Sequence, residues 1–233
     1  MPSPVSLAPG RIDVWWLPVA KLSGSLPLLR DCLTPAEQAR ASRFVRPEDQ
    51  VRFAVCRGSL RHLLAAYTGC VPSEIEFRLG ERGKPYLAGA PIEFNLSHSG
   101  DWGVVAAGAL PVGVDIERMK PLREFDQLVR RYFTIDEQRQ MAAFAPADRL
   151  AAFYRAWSRK EAFMKATGEG LHLSTTSFSV TLAEATAALV AGDGIERWTC
   201  ANLAAVPAGY SAALIVEGPM AAIEEREFRP GSL

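Results

Sequence analysis

Two segments of the chain carry carboxylates and lysines at spacings that suit chemistry. In Val112-Gly113-Val114-Asp115-Ile116-Glu117 apolar residues alternate with the others. An extended strand sends Val112, Val114 and Ile116 to one face and Gly113, Asp115 and Glu117 to the other. The two carboxylates then stand about 6.5–7 Å apart along the strand, close enough to bind one hard cation between them. Gly113 beside them is expected to leave room for a ligand to approach the backbone. On its own, a D-x-E pair is more often a solvated strand face.

The second segment runs from Phe153 to Lys165. At about 100° per residue, Leu150, Phe153, Tyr154, Trp157 and Met164 form one apolar stripe, with Glu161 in its middle and Lys165 beside it. A carboxylate on a core-facing stripe must be paired or bound to a metal, because an isolated buried charge is very costly. An ordinary i,i+4 Glu161–Lys165 pair explains the spacing, at about 0.2–0.5 kcal/mol, but not its place among apolar residues.

Electrostatics links the two segments. Each pair among Asp115, Glu117 and Glu161 brought to 4 Å costs about 4 kcal/mol at an effective dielectric of roughly 20. The three would not gather without a cation, and oxygen-only ligands point to Mg²⁺ or Mn²⁺ rather than zinc. Flanked by Lys160 and Lys165, such a site suits a phosphate ester or pyrophosphate.

A third segment, Asn95-Leu96-Ser97-His98-Ser99-Gly100, follows Arg82-Gly83-Lys84-Pro85. His98 at a turn, with the Ser97 and Ser99 hydroxyls, has donors to offer a phosphate, although a turn histidine is more often a local hydrogen bonder. Ser97 beside His98 does not make a hydrolase pair. There is no G-x-S-x-G elbow, and neighbouring strand residues point to opposite faces. Arg52, Arg57 and Arg61, with Arg40 and Arg43, read first as a solvated helix face and second as an anion site.

The elements that must position these residues come in a repeated order. Arg11–Leu17 alternates as a strand. Thr34-Pro35-Ala36-Glu37 is a capping box, and a helix is expected from about Pro47 to Tyr67, ended at Gly69. Strands follow around Glu74–Arg78, Ile92–His98 and Trp102–Ala107. Then Val112–Glu117 is a strand, Thr134-Ile135-Asp136-Glu137 a second capping box, and Arg149–Thr167 a long helix ended by Gly168. Strands are expected again at Phe178–Leu182, Glu196–Leu203 and Tyr210–Glu217. The two T-x-x-E-Q signatures lie 100 residues apart and the two Thr-Gly helix ends 99 apart. Two matches in one order at nearly one offset indicate an internal duplication. The expected fold is α+β, a pseudo-dimer of residues 1–110 and 111–233. Each half is a small antiparallel sheet against a long helix, with a site at the interface.

Composition bounds the partners. The 233 residues are 48% apolar and 22% charged, and Lys+Arg 26 balances Asp+Glu 26. No global field attracts nucleic acid or an acidic membrane. Cys32, Cys56, Cys70 and Cys200 have no metal-ligand spacing and read as reduced thiols. Met1–Gly10 has neither a basic n-region nor an apolar h-region, and no apolar run approaches the ~20 residues of a membrane helix. A soluble cytoplasmic monomer is expected.

In their order and separations, Gly83-Lys84-Pro85, Phe94–Gly100, Val112–Glu117 and Trp157–Lys165 resemble the 4′-phosphopantetheinyl transferase superfamily. The likeness is to the longer type that activates surfactin synthetase and other peptide synthetases, and it runs from about Thr34 to Val180. The resemblance implies coenzyme A and Mg²⁺ between two similar halves, and transfer of the phosphopantetheine arm to a serine of an apo acyl or peptidyl carrier protein. Carried over, Asp115, Glu117 and Glu161 hold the metal, and Lys160 and Lys165 the pyrophosphate. His98, Ser97 and Lys84 take the coenzyme's phosphates, and Arg40, Arg52 and Arg57 the ribose 3′-phosphate. Lys165 offsets charge on the leaving 3′,5′-ADP. Glu161 is either a metal ligand or the base that deprotonates the carrier serine, directly or through water. A non-catalytic coenzyme A or nucleotide-binding module and a Mg²⁺-dependent phosphohydrolase are the rival readings.

Overall fold

Thr34 and Thr134 each start a helix as their sequences require. Each hydroxyl accepts the amide of the glutamate three residues on, and that glutamate accepts the threonine's own amide in return. The computed structural model describes residues 7–8 and 10–231, so most of Met1–Gly10, on which the leader expectation rests, lies outside the described residues.

The chain runs β1 (Arg11–Pro18), α1 (Val19–Leu22), α2 (Leu26–Asp31), α3 (Pro35–Ser42), α4 (Pro47–Thr68), β2 (Phe77–Leu79), β3 (Pro85–Leu87), β4 (Glu93–Ser99) and β5 (Trp102–Gly108). It continues through β6 (Val112–Arg118), α5 (Phe125–Tyr132), α6 (Ile135–Ala143), α7 (Arg149–Thr167), β7 (Ser179–Val180), β8 (Leu189–Ala191), β9 (Trp198–Ala201), β10 (Tyr210–Glu217) and β11 (Ala222–Glu227). Both long helices end on a left-handed glycine, Gly69 at φ 74° and Gly168 at φ 75°, a backbone conformation that residues with a Cβ rarely adopt.

Four layers result. One face of the sheet β11-β1-β5-β4 packs Trp15, Leu17, Val105 and Ala107 against Leu60, Leu63 and Leu64 of α4. Its other face presents Ile12, Val14, Trp16, Val104 and Ala106 to Val112, Val114, Ile116, Leu214 and Val216 of the sheet β6-β10-β9. The outer face of that second sheet is covered by α7, through Ala162, Phe163 and Ala166 against Ala213 and Ile215. The α+β architecture of two helix-backed sheets is the one expected, and the period-2 reading of Val112–Glu117 places its residues correctly.

Two details differ from expectation. The C-terminal strand β11 pairs with β1 in parallel, Ile12 opposite Ile223 and Val14 opposite Glu225. The N-terminal sheet is therefore mixed, and the strand that completes it comes from the end of the chain. Gly113 leaves no room for a ligand. A Cβ there would overlap the Ala162 carbonyl and the Ala166 amide, so its missing side chain lets α7 lie directly on β6.

Between the halves, β4 and β6 lie side by side in different sheets, and side chains replace the main-chain ladder. Asn95 Oδ1 accepts the Val114 amide at 3.0 Å, Ser97 Oγ the Ile116 amide at 3.4 Å, and Ser99 Oγ the Arg118 amide at 3.1 Å. All four cysteines are free thiols. Among the described residues no helix is long and apolar enough to cross a membrane.

Candidate active site

Asp115 sits mid-strand on β6, 2% exposed, under α7. Its Oδ1 accepts Lys165 Nζ at 2.6 Å and the Ser97 hydroxyl at 2.9 Å, and Lys165 also donates to Ser97 Oγ at 2.9 Å. Its Oδ2 is buried without a hydrogen-bond partner among the described residues. Two residues on, Glu117 Oε2 accepts the Ser99 hydroxyl at 2.9 Å. Glu161, one turn before Lys165 on α7, is half-buried with it.

The charges feel one another. Glu117 is held above the usual carboxylate range by burial and then by Asp115, with Ser99, Lys165 and Trp157 pulling the other way. Glu161 is raised by burial, then by Asp115 and Glu117, against Lys165. The three carboxylates grouped from the sequence thus lie within electrostatic range of one another. They do not close into a finished cage: among the described residues no group of three His, Cys, Asp or Glu side chains is disposed to hold a metal ion. A divalent cation nevertheless suits them. The donors are all oxygens, their repulsion calls for positive charge, and Asp115 Oδ2 lacks a partner that a buried carboxylate oxygen requires.

Three lysines expected together separate. Lys165 is at the site. Lys160 is not: fully buried on the far side of α7, its ammonium pairs with Glu137 at 2.9 Å and donates to the carbonyls of Thr175 and Phe178 at 2.7 Å each. It has no donor for a pyrophosphate. Lys84 donates to the carbonyls of Val112 and Ala166 at 3.0 Å each, tying the end of α7 to the start of β6. Burial lowers its pKa. Lys84 braces the two halves, spending two of its three N–H donors on those carbonyls. The single O–H of Ser97 is likewise engaged, by Asp115.

On the opposite face of β4, Leu96 and His98 border a groove of about 900 Å³ that Arg40, Phe53, Arg57, Arg61 and Phe77 also line. His98 is exposed, yet partial burial against the groove first, then the charge of Arg52, lowers its pKa. Arg57 stacks on Phe77, 3.7 Å from the ring centroid, while bonding Glu37. Arg40 lies over Phe53. Arg52 stands outside the lining, between Asp49 and the Gly100 carbonyl. Arg61 is not a solvated residue at all: it is 1% exposed, bonded to Glu37 at 2.8 Å and to the carbonyls of Pro72 and Ile75.

Sequence reasoning missed Ser99 as a partner of Glu117, Asn95 as a rung between halves, and Glu137 as the partner of Lys160. The signal for the last was present. Lys160 and Lys165 are five residues apart, about 140° around a helix, and cannot share a ligand face.

Known proteins bear on this geometry. The family model described as the 4′-phosphopantetheinyl transferase superfamily matches residues 111–215, and that described as 4′-phosphopantetheinyl transferase, N-terminal, matches residues 16–110. The 4′-phosphopantetheinyl transferase HetI of Nostoc sp. is 33% identical over 175 residues, covering 73% of this chain and 74% of that one. The 4′-phosphopantetheinyl transferase Sfp of Bacillus subtilis is 34% identical, over 64% of this chain and 66% of its own. The 4′-phosphopantetheinyl transferase psf-1 of Bacillus pumilus is 37% identical, over 64% and 63%. The chain belongs to the 4′-phosphopantetheinyl transferase superfamily.

Proposed function

We propose that this enzyme moves the 4′-phosphopantetheine arm of coenzyme A onto a serine of an apo acyl or peptidyl carrier protein and releases 3′,5′-ADP. The observation that carries the reading is Asp115, buried between halves with Lys165 on one oxygen and the other oxygen without a hydrogen-bond partner among the described residues. In this reading Asp115, Glu117 and Glu161 hold Mg²⁺ or Mn²⁺. The ion would supply positive charge against the pyrophosphate.

The chain's own residues account for the remaining chemistry. The groove of Arg40, Arg57 and His98 takes the phosphorylated nucleoside end of the coenzyme, where cations and aromatic rings stand together. Lys165 offsets charge on the leaving 3′,5′-ADP as the bond from phosphorus to its oxygen breaks. The serine oxygen bonds to the pantetheine-side phosphorus, and its proton passes to a base. Glu161, raised above the usual carboxylate range, can hold that proton directly or through water. The protein acts as a monomer in the cytoplasm, with carrier domain and coenzyme as its partners.

Intact-mass spectrometry of apo carrier domains incubated with the protein, coenzyme A and Mg²⁺ tests the reading. Gain of one phosphopantetheine per carrier, with equal 3′,5′-ADP, is the expected result. Release of 3′,5′-ADP without carrier modification makes the protein a phosphohydrolase. Binding of coenzyme A with neither product makes it a binding module.

A further inference from the structure

The rungs between β4 and β6 do two jobs with one oxygen each. Ser97 Oγ accepts the Ile116 amide at 3.4 Å and donates to Asp115 Oδ1 at 2.9 Å. Two residues on, Ser99 Oγ accepts the Arg118 amide at 3.1 Å and donates to Glu117 Oε2 at 2.9 Å. A hydroxyl has one proton, so in each rung the amide takes a lone pair and the carboxylate receives the hydrogen. The N-terminal half's edge strand thus grips each carboxylate of the C-terminal half by one oxygen. Asn95, the next rung, accepts the Val114 amide at 3.0 Å and among the described residues makes no hydrogen bond to a carboxylate, which separates bridging from gripping.

We propose that Ser97 and Ser99 are positioning residues that fix Asp115 and Glu117 for a divalent cation. Each holds one carboxylate oxygen and so sets where the other points. This rests on the functional reading above. Three features of the structure converge on it. The grip repeats with the strand period, residue by residue, at 97/115 and 99/117. The gripped Asp115 is 2% exposed, and its Oδ2 is buried without a hydrogen-bond partner among the described residues, an arrangement a buried carboxylate oxygen rarely keeps. Ser97 also accepts Lys165 Nζ at 2.9 Å, so one hydroxyl orients a carboxylate and the lysine beside it together. Partners that orient metal-binding carboxylates in this way are typically worth about 10–100-fold in metal affinity.

The clean test is Ser99, because its amide partner on Arg118 is exposed and water can replace the lost acceptor. Mn²⁺ binding is titrated by electron paramagnetic resonance, with and without 3′,5′-ADP, on the wild-type chain and on Ser99→Ala and Ser99→Thr. Ser99→Ala is expected to weaken Mn²⁺ about 10-fold or more. Ser99→Thr, which keeps the hydroxyl, stays close to wild type. In turnover the alanine variant needs more Mg²⁺ for half-maximal rate, while kcat at saturating Mg²⁺ and KM for coenzyme A hold. Ser99→Cys, a weak donor of similar size, serves the same comparison should the alanine variant not fold. Equal Mn²⁺ affinity in Ser99→Ala and wild type overturns the proposal. So does a raised KM for coenzyme A with metal affinity intact, which would put the hydroxyl on the coenzyme. A wild-type chain that binds no Mn²⁺ in either condition overturns the metal reading itself, and the positioning role with it.

Discussion

Lys160 stands in the C-terminal half where Arg61 stands in the N-terminal half. Each is a fully buried cation on the long helix of its half, paired with the glutamate of the capping box, Lys160 with Glu137 and Arg61 with Glu37. Each donates to two carbonyls three residues apart in the segment after the helix, Thr175 and Phe178 in one case, Pro72 and Ile75 in the other. The duplication read from Thr34 and Thr134 is therefore carried into the interior as a whole device: cap, buried ion pair and tethered turn. Its purpose is to join a short helix, a long helix and the following strand.

Replacing the two lysines of α7 should give opposite phenotypes. Lys160→Met leaves Glu137 buried without its counter-charge, which costs about 3–5 kcal/mol of stability. The molecules that remain folded should keep their KM for coenzyme A. Lys165→Met also strips Asp115 of its counter-charge, but at an interface where a bound cation can replace it, so its main effect should be a loss of about 10²–10³-fold in kcat. Thermal melts beside single-turnover rates distinguish these results, and loss of turnover without loss of stability in Lys160→Met would return Lys160 to the phosphate site.

Glu161 and Asp115 separate metal binding from proton transfer. Glu161→Gln keeps the shape of the side chain but removes charge and basicity. If Glu161 only binds metal, high Mg²⁺ recovers most of the rate. If it is the base, kcat falls about 10²–10⁴-fold and no metal concentration repairs it. Asp115→Asn should show the metal-dependent defect alone. A Glu161→Gln variant with parental activity at low Mg²⁺ would remove that residue from both roles.

Much of this was legible because local rules and the final fold agree. The bounds of α7 and β10 match the periodicity to the residue, and α4 matches within one, since apolar periodicity and the left-handed glycines that end both helices are local signals. The carboxylates were legible because strand period and helix phase both aim them at one interface. What escaped was non-local. β11 carries Glu224, Glu225 and Glu227 among few apolar residues and looks like a solvated tail, until β1 supplies its backbone partners. Lys84 and Ser97 carry groups suited to phosphate, and only the packing of α7 on Gly113 shows that carbonyls and Asp115 take those donors first. Donor type was readable from sequence, whereas donor availability required the tertiary structure.

His98 should make coenzyme binding dependent on pH. Burial and Arg52 hold its pKa below the usual 6.5, so it is neutral at pH 7 in the free protein. A phosphate at the groove would favour the charged ring and draw a proton in, so KM for coenzyme A should fall as pH drops from about 8 towards 6. Stability runs the other way. With the folded pKa depressed, the unfolded chain binds the proton first, and stability is lost as pH falls from 6.5 through the folded value. His98→Gln should flatten both trends. A pH-independent KM in the wild type, with calorimetry in two buffers showing no proton uptake, would remove His98 from the phosphate.

Gly113→Ala probes the contact on which the site is built. The added methyl meets the backbone of α7 at Ala162 and Ala166, which cannot rotate away as a side chain would. Overpacking of this kind costs about 1–3 kcal/mol. Lifting α7 from β6 also draws Lys165 and Glu161 from Asp115, so kcat should fall more steeply than a chemically silent methyl warrants. An active variant with an unchanged melt would mean that α7 does not rest on Gly113 in solution.

Deleting residues 222–233 tests whether the end of the chain belongs to the N-terminal half. The deletion removes β11 and leaves β1 as an edge strand with unpaired amides and carbonyls. It also removes Phe228, 1% exposed in the core beneath α4, whose amide bonds the Trp16 carbonyl at 2.9 Å. Glu225 would go too, and with it the bond from Trp16 Nε1 at 3.0 Å and the two that hold the Ala204 and Ala205 amides. Every residue proposed for catalysis remains in the shortened chain. Activity should nonetheless be lost with cooperative folding, because the strand that grips Asp115 and Glu117 belongs to the sheet that β11 completes. Phe228→Ala is the graded version, expected to cost about 3–5 kcal/mol in a chemical denaturation curve while sparing kcat at low temperature. A shortened chain that melts and turns over like the full one would show that β11 only decorates β1 and that the N-terminal sheet closes without it.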